Sequence, residues 1–247
     1  MTYSIALAGK GGTGKTTMAG FLIRYLSERG RNPILAVDAD ANANLNEVLG
    51  LEVNDTLGNA REEMKTGVSS GMTKDVFMEM KLQEAVIESD DFDLVVMGRP
   101  EGPGCYCAAN SLLVQYLDKL IGNYASVVID NEAGMEHLSR LTTNNIDVLL
   151  LISDSTRRGM QAAARISEIA DELNLNIGKK RLVVNQAKEE EESTIRQMAA
   201  DFGLEIAGIV MDDPDVRDFD LNGRPTLELT GDNKALKQAF QIFDTFI

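Results

Sequence analysis

Seven short apolar runs mark the chain: YSIALAG (3–9), PILAVD (33–38), DLVVMG (93–98), SVVID (126–130), DVLLLIS (147–153), RLVVN (181–185) and EIAGIV (205–210). Their apolar positions are continuous rather than alternating, the pattern of strands covered on both faces. Helical patterns separate most of them. KTTMAGFLIRYLSER (15–29) follows the first run, CAANSLLVQYLDKLI (107–121) the third and MQAAARISEIADELN (160–174) the fifth. This alternation predicts right-handed crossovers and an α/β fold, a doubly wound and mainly parallel sheet flanked by helices. The stretch 41–92 is long for one crossover and is expected to hold helices of its own, one of them over 74–88. Four of the eleven methionines fall in that stretch, Met64, Met72, Met78 and Met80, and read as flexible core filling. With no repeat and no low-complexity linker, residues 1–247 are expected to form a single domain.

Composition narrows the classes. At 44% hydrophobic residues the chain can build a core without disulfide or metal staples. No apolar run reaches 18 residues and the first strand pattern starts at once, so neither a membrane span nor a signal peptide is expected. Two cysteines and no export signal point to the cytoplasm. The formal charge of −15 disfavours nucleic acid and anionic membrane as partners. The densest charge run, Glu189 to Glu192, is acidic and reads as a solvated helix start.

Between the first strand and the first helix the chain reads GKGGTGKTT (9–17). Gly9, Gly14, Lys15 and Thr16 satisfy the P-loop spacing in the strand–helix context that the motif requires. Glycines let Gly11, Gly12, Thr13 and Gly14 turn successive N–H groups toward phosphates, and the helix that carries Lys15, Thr16 and Thr17 adds its positive end. Lys15 is expected on the β- and γ-phosphates of ATP, and the Thr16 hydroxyl on Mg²⁺. The form KGGTGKT, with Lys10, resembles the deviant Walker A motif of the MinD/ParA/NifH group of dimeric ATPases. That resemblance implies ATP hydrolysis and a homodimer in which Lys10 reaches the partner's nucleotide.

Carboxylates fall where such a site needs them. AVDADANANL puts Asp38 and Asp40 at the carboxyl end of the second run, and VVIDNEAG ends the fourth on Asp130, a residue able to hold Mg²⁺ through water. The resemblance implies that Asp40 positions the attacking water, that Asp38 sits near Mg²⁺ and that Gly134 lies in the second switch. Asn185, just past the sixth run, is read two ways: as a turn residue, or, by the resemblance, as the amide that reads adenine. Relatives often carry a proline after the seventh run; here Met211 stands instead.

Both cysteines lie in RPEGPGCYCAANSLL (99–113), behind a Gly-Pro-Gly turn. In an extended segment Cys105 and Cys107 point the same way, giving half of a tetrahedral thiolate set that a two-fold dimer would complete. A tetrahedral set suits Zn²⁺ and a planar one Ni²⁺. A redox disulfide and simple small buried hydrophobes are the rival readings. MGRPEGPGCYC together with DNEAGMEHLSR (130–140) resembles the CooC/AcsF-type ATPases, which mature carbon monoxide dehydrogenase or acetyl-CoA synthase. This implies an ATP- and metal-dependent homodimer that carries nickel (or zinc) between its Cys-x-Cys loops and delivers it to a client nickel enzyme. His137, the one histidine, is either an auxiliary ligand or a structural residue beside the second switch. The alternatives are a MinD/ParA-like positioning ATPase and a NifH-like iron–sulfur reductase. The C-terminal stretch ALKQAFQIFDTFI, with Lys237 its one cation, lacks the basic face of the MinD membrane helix, and NifH-like cysteines lie far apart.

Overall fold

A computed structural model describes residues 2–66, 73–98, 117–132 and 145–247. Its eight strands are β1 (Tyr3–Gly9), β2 (Ile34–Ala39), β3 (Val86–Glu88), β4 (Asp93–Val96), β5 (Ser126–Asn131), β6 (Asn145–Ser153), β7 (Asn176–Ala187) and β8 (Ile206–Met211). They form one sheet in the order β3-β4-β2-β5-β1-β6-β7-β8. Each neighbouring pair is parallel except β3 with β4. The labelled helices are α1 (Lys15–Glu28), α2 (Leu45–Leu49), α3 (Leu57–Thr66), α4 (Lys74–Glu84), α5 (Arg157–Glu172), α6 (Glu192–Asp201), α7 (Pro214–Leu221) and α8 (Lys234–Phe243).

The continuous apolar runs have the cause inferred for them, since both faces of the sheet are covered. In β1 the side chains of Ile5 and Leu7 join one core with α1, α2, α7 and α8, and Ala6 and Ala8 join the other with α3, α4, α5 and α6. Each large side chain fully removed from water, such as Phe21, Leu22 and Phe243, contributes about 1.5–3 kcal/mol. Met64 and Met78 are buried in the second of these cores and Met80 packs against it, while Met72 lies outside the described residues.

Two expected helices differ in extent. The one expected over 74–88 stops at Glu84, and Val86 and Ile87 turn into β3, paired with Val95 and Leu94. Two β-branched residues in a row fit a pleated edge better than a last helical turn. The helix expected from 160 starts earlier, at Arg157, because the Thr156 hydroxyl accepts the Gly159 N–H at 3.1 Å and caps it. Of the helix expected over 107–121, residues 117–121 are helical and the rest lies outside the described residues. No helix among the described residues is long and apolar enough to cross a membrane.

Candidate functional site

The carboxyl ends of β1, β2 and β5 meet at one place because β5 runs between the other two. Gly9 closes β1 against Ile152 of β6, so tightly that an added Cβ would stand 2.2 Å from the Ile152 carbonyl oxygen. The loop that follows turns through Gly12 and Gly14, both left-handed at φ +81° and +79°. Thr13, fully buried, donates its hydroxyl to the Lys10 carbonyl at 2.9 Å, and Lys15 Nζ reaches the same carbonyl at 3.4 Å. Gly14 caps α1, whose first helical bond runs from the Met18 N–H to the Gly14 carbonyl. The N–H groups before it have no partner within the helix. Lys10, Gly11 and Gly12 are exposed, while Lys15 is buried.

Register brings the carboxylates together. Asp38 and Asp130 are Cα partners on adjacent strands, and Leu7 of β1 pairs with Asp130 from the other side. Asp38, fully buried, accepts the Asp40 N–H at 3.0 Å on one oxygen and the Leu45 N–H at 2.9 Å on the other. Its carboxylate therefore shapes the turn that carries Asp40. Burial pushes its pKa up to about 6 against those hydrogen bonds. Asp130 is 2% exposed. Burial pushes it up to about 7, with repulsion from Asp38 and Asp40 adding to the rise and the Thr16 hydroxyl and Lys15 opposing it.

Asp130 Oδ1 is buried without a hydrogen-bond partner among the described residues. A buried carboxylate oxygen left unpaired is costly unless a cation completes it. The Thr16 hydroxyl and the Asp130 carboxylate are hard oxygen donors of the kind that Mg²⁺ takes beside phosphates, with Asp38 and Asp40 close enough to raise the Asp130 pKa. The residues present fit that ion.

Two cavities open over the loop. One, of about 520 Å³, is lined by Gly11, Gly12, Gly14, Lys15, Thr16 and Asp40, and also by Glu47, Glu132 and Arg224. The other, of about 450 Å³, is lined by Phe21, Asn185, Met211, Asp212, Val216 and Arg217. Thr17, Gln186 and Asp220 line both, so the two are adjacent. The first has the polar floor that a polyphosphate needs and the second the apolar wall that suits a base. Gln186, Glu47 and Arg224 were not singled out from the sequence. Gln186 stands next to Asn185, but its left-handed φ of +56° is not visible in a residue string. Asn185 is buried, and its Nδ2 donates to the Thr13 carbonyl at 3.1 Å. The Met211 N–H is taken by Gln238 Oε1 at 2.9 Å.

Cys105, Cys107, Gly134 and His137 lie outside the described residues. Among the described residues no group of three or more His, Cys, Asp or Glu side chains is arranged to hold a metal ion. The segment that contains both cysteines follows β4 directly. There the Met97 N–H donates to the Asp38 carbonyl at 2.9 Å, and the Met97 carbonyl accepts the Gly58 N–H at 2.8 Å.

Comparison with known proteins shows the family and the fold. The CbiA family, described as the CobQ/CobB/MinD/ParA nucleotide binding domain, matches residues 4–227. An uncharacterized ATP-binding protein of Methanocaldococcus jannaschii is 43% identical over 98% of this chain and 98% of its own. The carbon monoxide dehydrogenase accessory protein CooC of Rhodospirillum rubrum is 32% identical over 69% of this chain and 70% of its own. The fold is that of the septum site-determining protein MinD of Pyrococcus horikoshii complexed with Mg-ADP. That likeness has a TM-score of 0.74 at 20% identity, covering 99% of this chain and 96% of the other.

Proposed function

The chain belongs to the CobQ/CobB/MinD/ParA nucleotide-binding domain family of P-loop ATPases, and from that premise we propose that it is an ATP-dependent metallochaperone working as a homodimer. Its cargo is nickel, carried between the Cys105 and Cys107 pairs of the two subunits and delivered to a client carbon monoxide dehydrogenase or acetyl-CoA synthase. The observation that carries this reading is the 32% identity to CooC across 69% of the chain, taken with the Cys-x-Cys pair in the sequence.

In this reading Lys15 and the N–H groups of the loop bind the triphosphate, and Lys10 reaches the nucleotide of the partner subunit. Asp40 orients the water that attacks the γ-phosphorus. The bond to the β-phosphate oxygen breaks, leaving ADP and inorganic phosphate. Thr16 and Asp130 hold Mg²⁺ with Asp38 beside them, and the ion neutralises phosphate charge when bound. Neutralisation is needed because Asp40, Glu47, Glu132 and Asp220 all line the phosphate cavity. The hydrogen bond from Met97 to the Asp38 carbonyl supports coupling of nucleotide state to the segment that begins after Gly98.

Nickel binding to the full-length protein, measured by equilibrium dialysis in apo, ADP and ATP forms, tests the reading. One ion per dimer is expected, with an affinity that changes with the nucleotide and is lost in Cys105→Ser and Cys107→Ser while ATP binding persists. A double variant that kept the ion, or a nickel affinity indifferent to nucleotide, would overturn it. The rival, a positioning ATPase that organises other proteins, is supported by the MinD likeness in fold and predicts no specific nickel binding at all.

A further inference from the structure

The sheet is uneven where β7 meets β8. β7 has 12 residues and β8 only 6, and the two pair from Leu182 onward. Residues 176–181 of β7 therefore have β6 on one side, in an unbroken register that starts at Asn145 with Asn176, and no strand on the other among the described residues. The Leu182 N–H points away from β6 and donates to the Glu205 carbonyl at 2.8 Å. Backbone groups alternate sides along a strand, so those of Asn176, Gly178 and Lys180 point the same way, over an edge about 20 Å long. The Lys180 carbonyl accepts Arg181 Nη1 at 2.9 Å. The N–H groups of Gly178 and Lys180 meet no acceptor among the described residues. A cavity of about 430 Å³ lies along this edge, lined by Gly178, Lys180, Arg181, Ser167 of α5, and Leu204 and Glu205 just before β8. The nucleotide groove takes its β7 residues from the other end of the strand, Asn185 and Gln186.

Charge singles out the same stretch. Lys179, Lys180 and Arg181 are the one run of three cations in a chain of formal charge −15. Lys180 turns toward α5, its Nζ 2.9 Å from the Ser167 carbonyl and 2.6 Å from Asp171. Lys179 turns to the opposite face, toward the Phe246 carbonyl at 3.4 Å, and Arg181 pairs with Glu205. Cations thus flank the edge on both faces. The Asp171 and Glu205 side chains are 74% and 67% exposed, and surface pairs of that kind are worth little, so an incoming carboxylate replaces them at small cost. The charges also decide the occupant. A second copy paired edge to edge would set like cations against each other, which opposes pairing. An extended segment rich in Glu or Asp meets no such penalty.

We propose that the open edge of β7 at 176–181 is a docking site for an extended acidic segment of another protein, which adds to the sheet as a strand. Main-chain hydrogen bonds to Gly178 and Lys180 hold the segment, and Lys179, Lys180 and Arg181 select its carboxylates. The site is separate from the nucleotide groove and does not depend on nickel.

The probe is a fluorescent peptide, Thr-Glu-Glu-Glu-Val-Thr, titrated with the full chain and followed by anisotropy. Saturable binding is expected, with none for the peptide in which Lys replaces each Glu. Arg181→Glu, and Lys180→Pro, which removes one outward N–H at an edge position where proline is tolerated, should each weaken binding at least tenfold with the circular dichroism of the parent. Two further peptides, N-methylated on the odd or on the even amides, test the ladder on the unaltered protein and serve should either variant fail to fold. One of them blocks the side turned to β7 and should lose binding at least tenfold; the other blocks the solvent side and should bind like the parent peptide. No saturable binding, equal binding of the Lys peptide, or equal effects of the two N-methylated peptides would each overturn the assignment. So would nucleotide-free dimerisation of the full chain that Lys180→Pro abolishes, since the occupant would then be a second copy.

Discussion

Replacing Asp130 by Asn should stabilise the ligand-free protein at alkaline pH while removing its response to Mg²⁺-ATP. Asp130 is 2% exposed with one oxygen unpartnered among the described residues, and burial lifts its pKa from 3.8 to about 7. An acid whose folded pKa lies above its unfolded value favours folding while protonated. That contribution is complete below about pH 4 and is lost as pH rises through 7. The rise corresponds to about 4 kcal/mol lost between those limits. Asn carries no charge to desolvate, but its amide brings donors that need acceptors, a cost of about 1–3 kcal/mol if they are poorly met. The net gain at pH 8 is about 2 kcal/mol, or roughly 4–8 °C in melting temperature for a domain of this size. Asp38, lifted to about 6 by its own burial, titrates in the same window as part of the pair and keeps a share of the pH dependence in the variant. The assay is thermal unfolding in EDTA, without nucleotide, at intervals from pH 5 to 8.5. The difference between variant and parent should grow with pH and vanish near pH 5. A variant less stable than the parent at pH 8, or a difference that stays constant across the series, would refute the argument that an ionised Asp130 burdens the empty fold.

Other perturbations test the frame around the site. Asp213 accepts the Asp215 N–H at 2.9 Å, the Val216 N–H at 3.3 Å and the Asn233 Nδ2 at 3.0 Å. Asp213→Ala should therefore uncap α7 and loosen the start of α8, costing about 2 kcal/mol or more in urea unfolding, with Asp213→Asn losing distinctly less. Gly9→Ala sets a methyl 2.2 Å from a backbone oxygen that cannot swing away. It should weaken Mg²⁺-ATP at least tenfold in a titration while the far-ultraviolet circular dichroism stays that of the parent, because the displacement falls on the loop. ATP affinity equal to that of the parent would show that the loop does not depend on this close approach.

Local pattern was enough for the seven parallel strands, for the helices that follow β1 and β6, and for the phosphate loop. Continuous apolar runs bounded by Gly and Asp are the signature of doubly covered strands, and glycines before a helix can cradle an anion wherever they occur. Asp38, Asp40 and Asp130 were legible because each ends or follows an apolar run, and the end of such a run is the end of a strand. The β3 edge was missed because Val86 and Ile87 sit directly behind a helical pattern, and only their pairing with β4 makes them a strand. Strand order is likewise not written locally. β5 lies between β2 and β1 although 86 residues separate Ala39 from Ser126, and that insertion is what sets Asp38 and Asp130 in one register with Thr16 beside them. The same holds for Asn185. A residue string shows an amide after a strand, compatible with a turn or a base contact, whereas its bond to Thr13, 172 positions earlier, exists only once β7 packs in the same sheet as β1. Periodicity records which faces are buried and is read over a few residues. Which strands become neighbours is decided by burying all of those faces at once, and the site is built from the contacts that this packing creates.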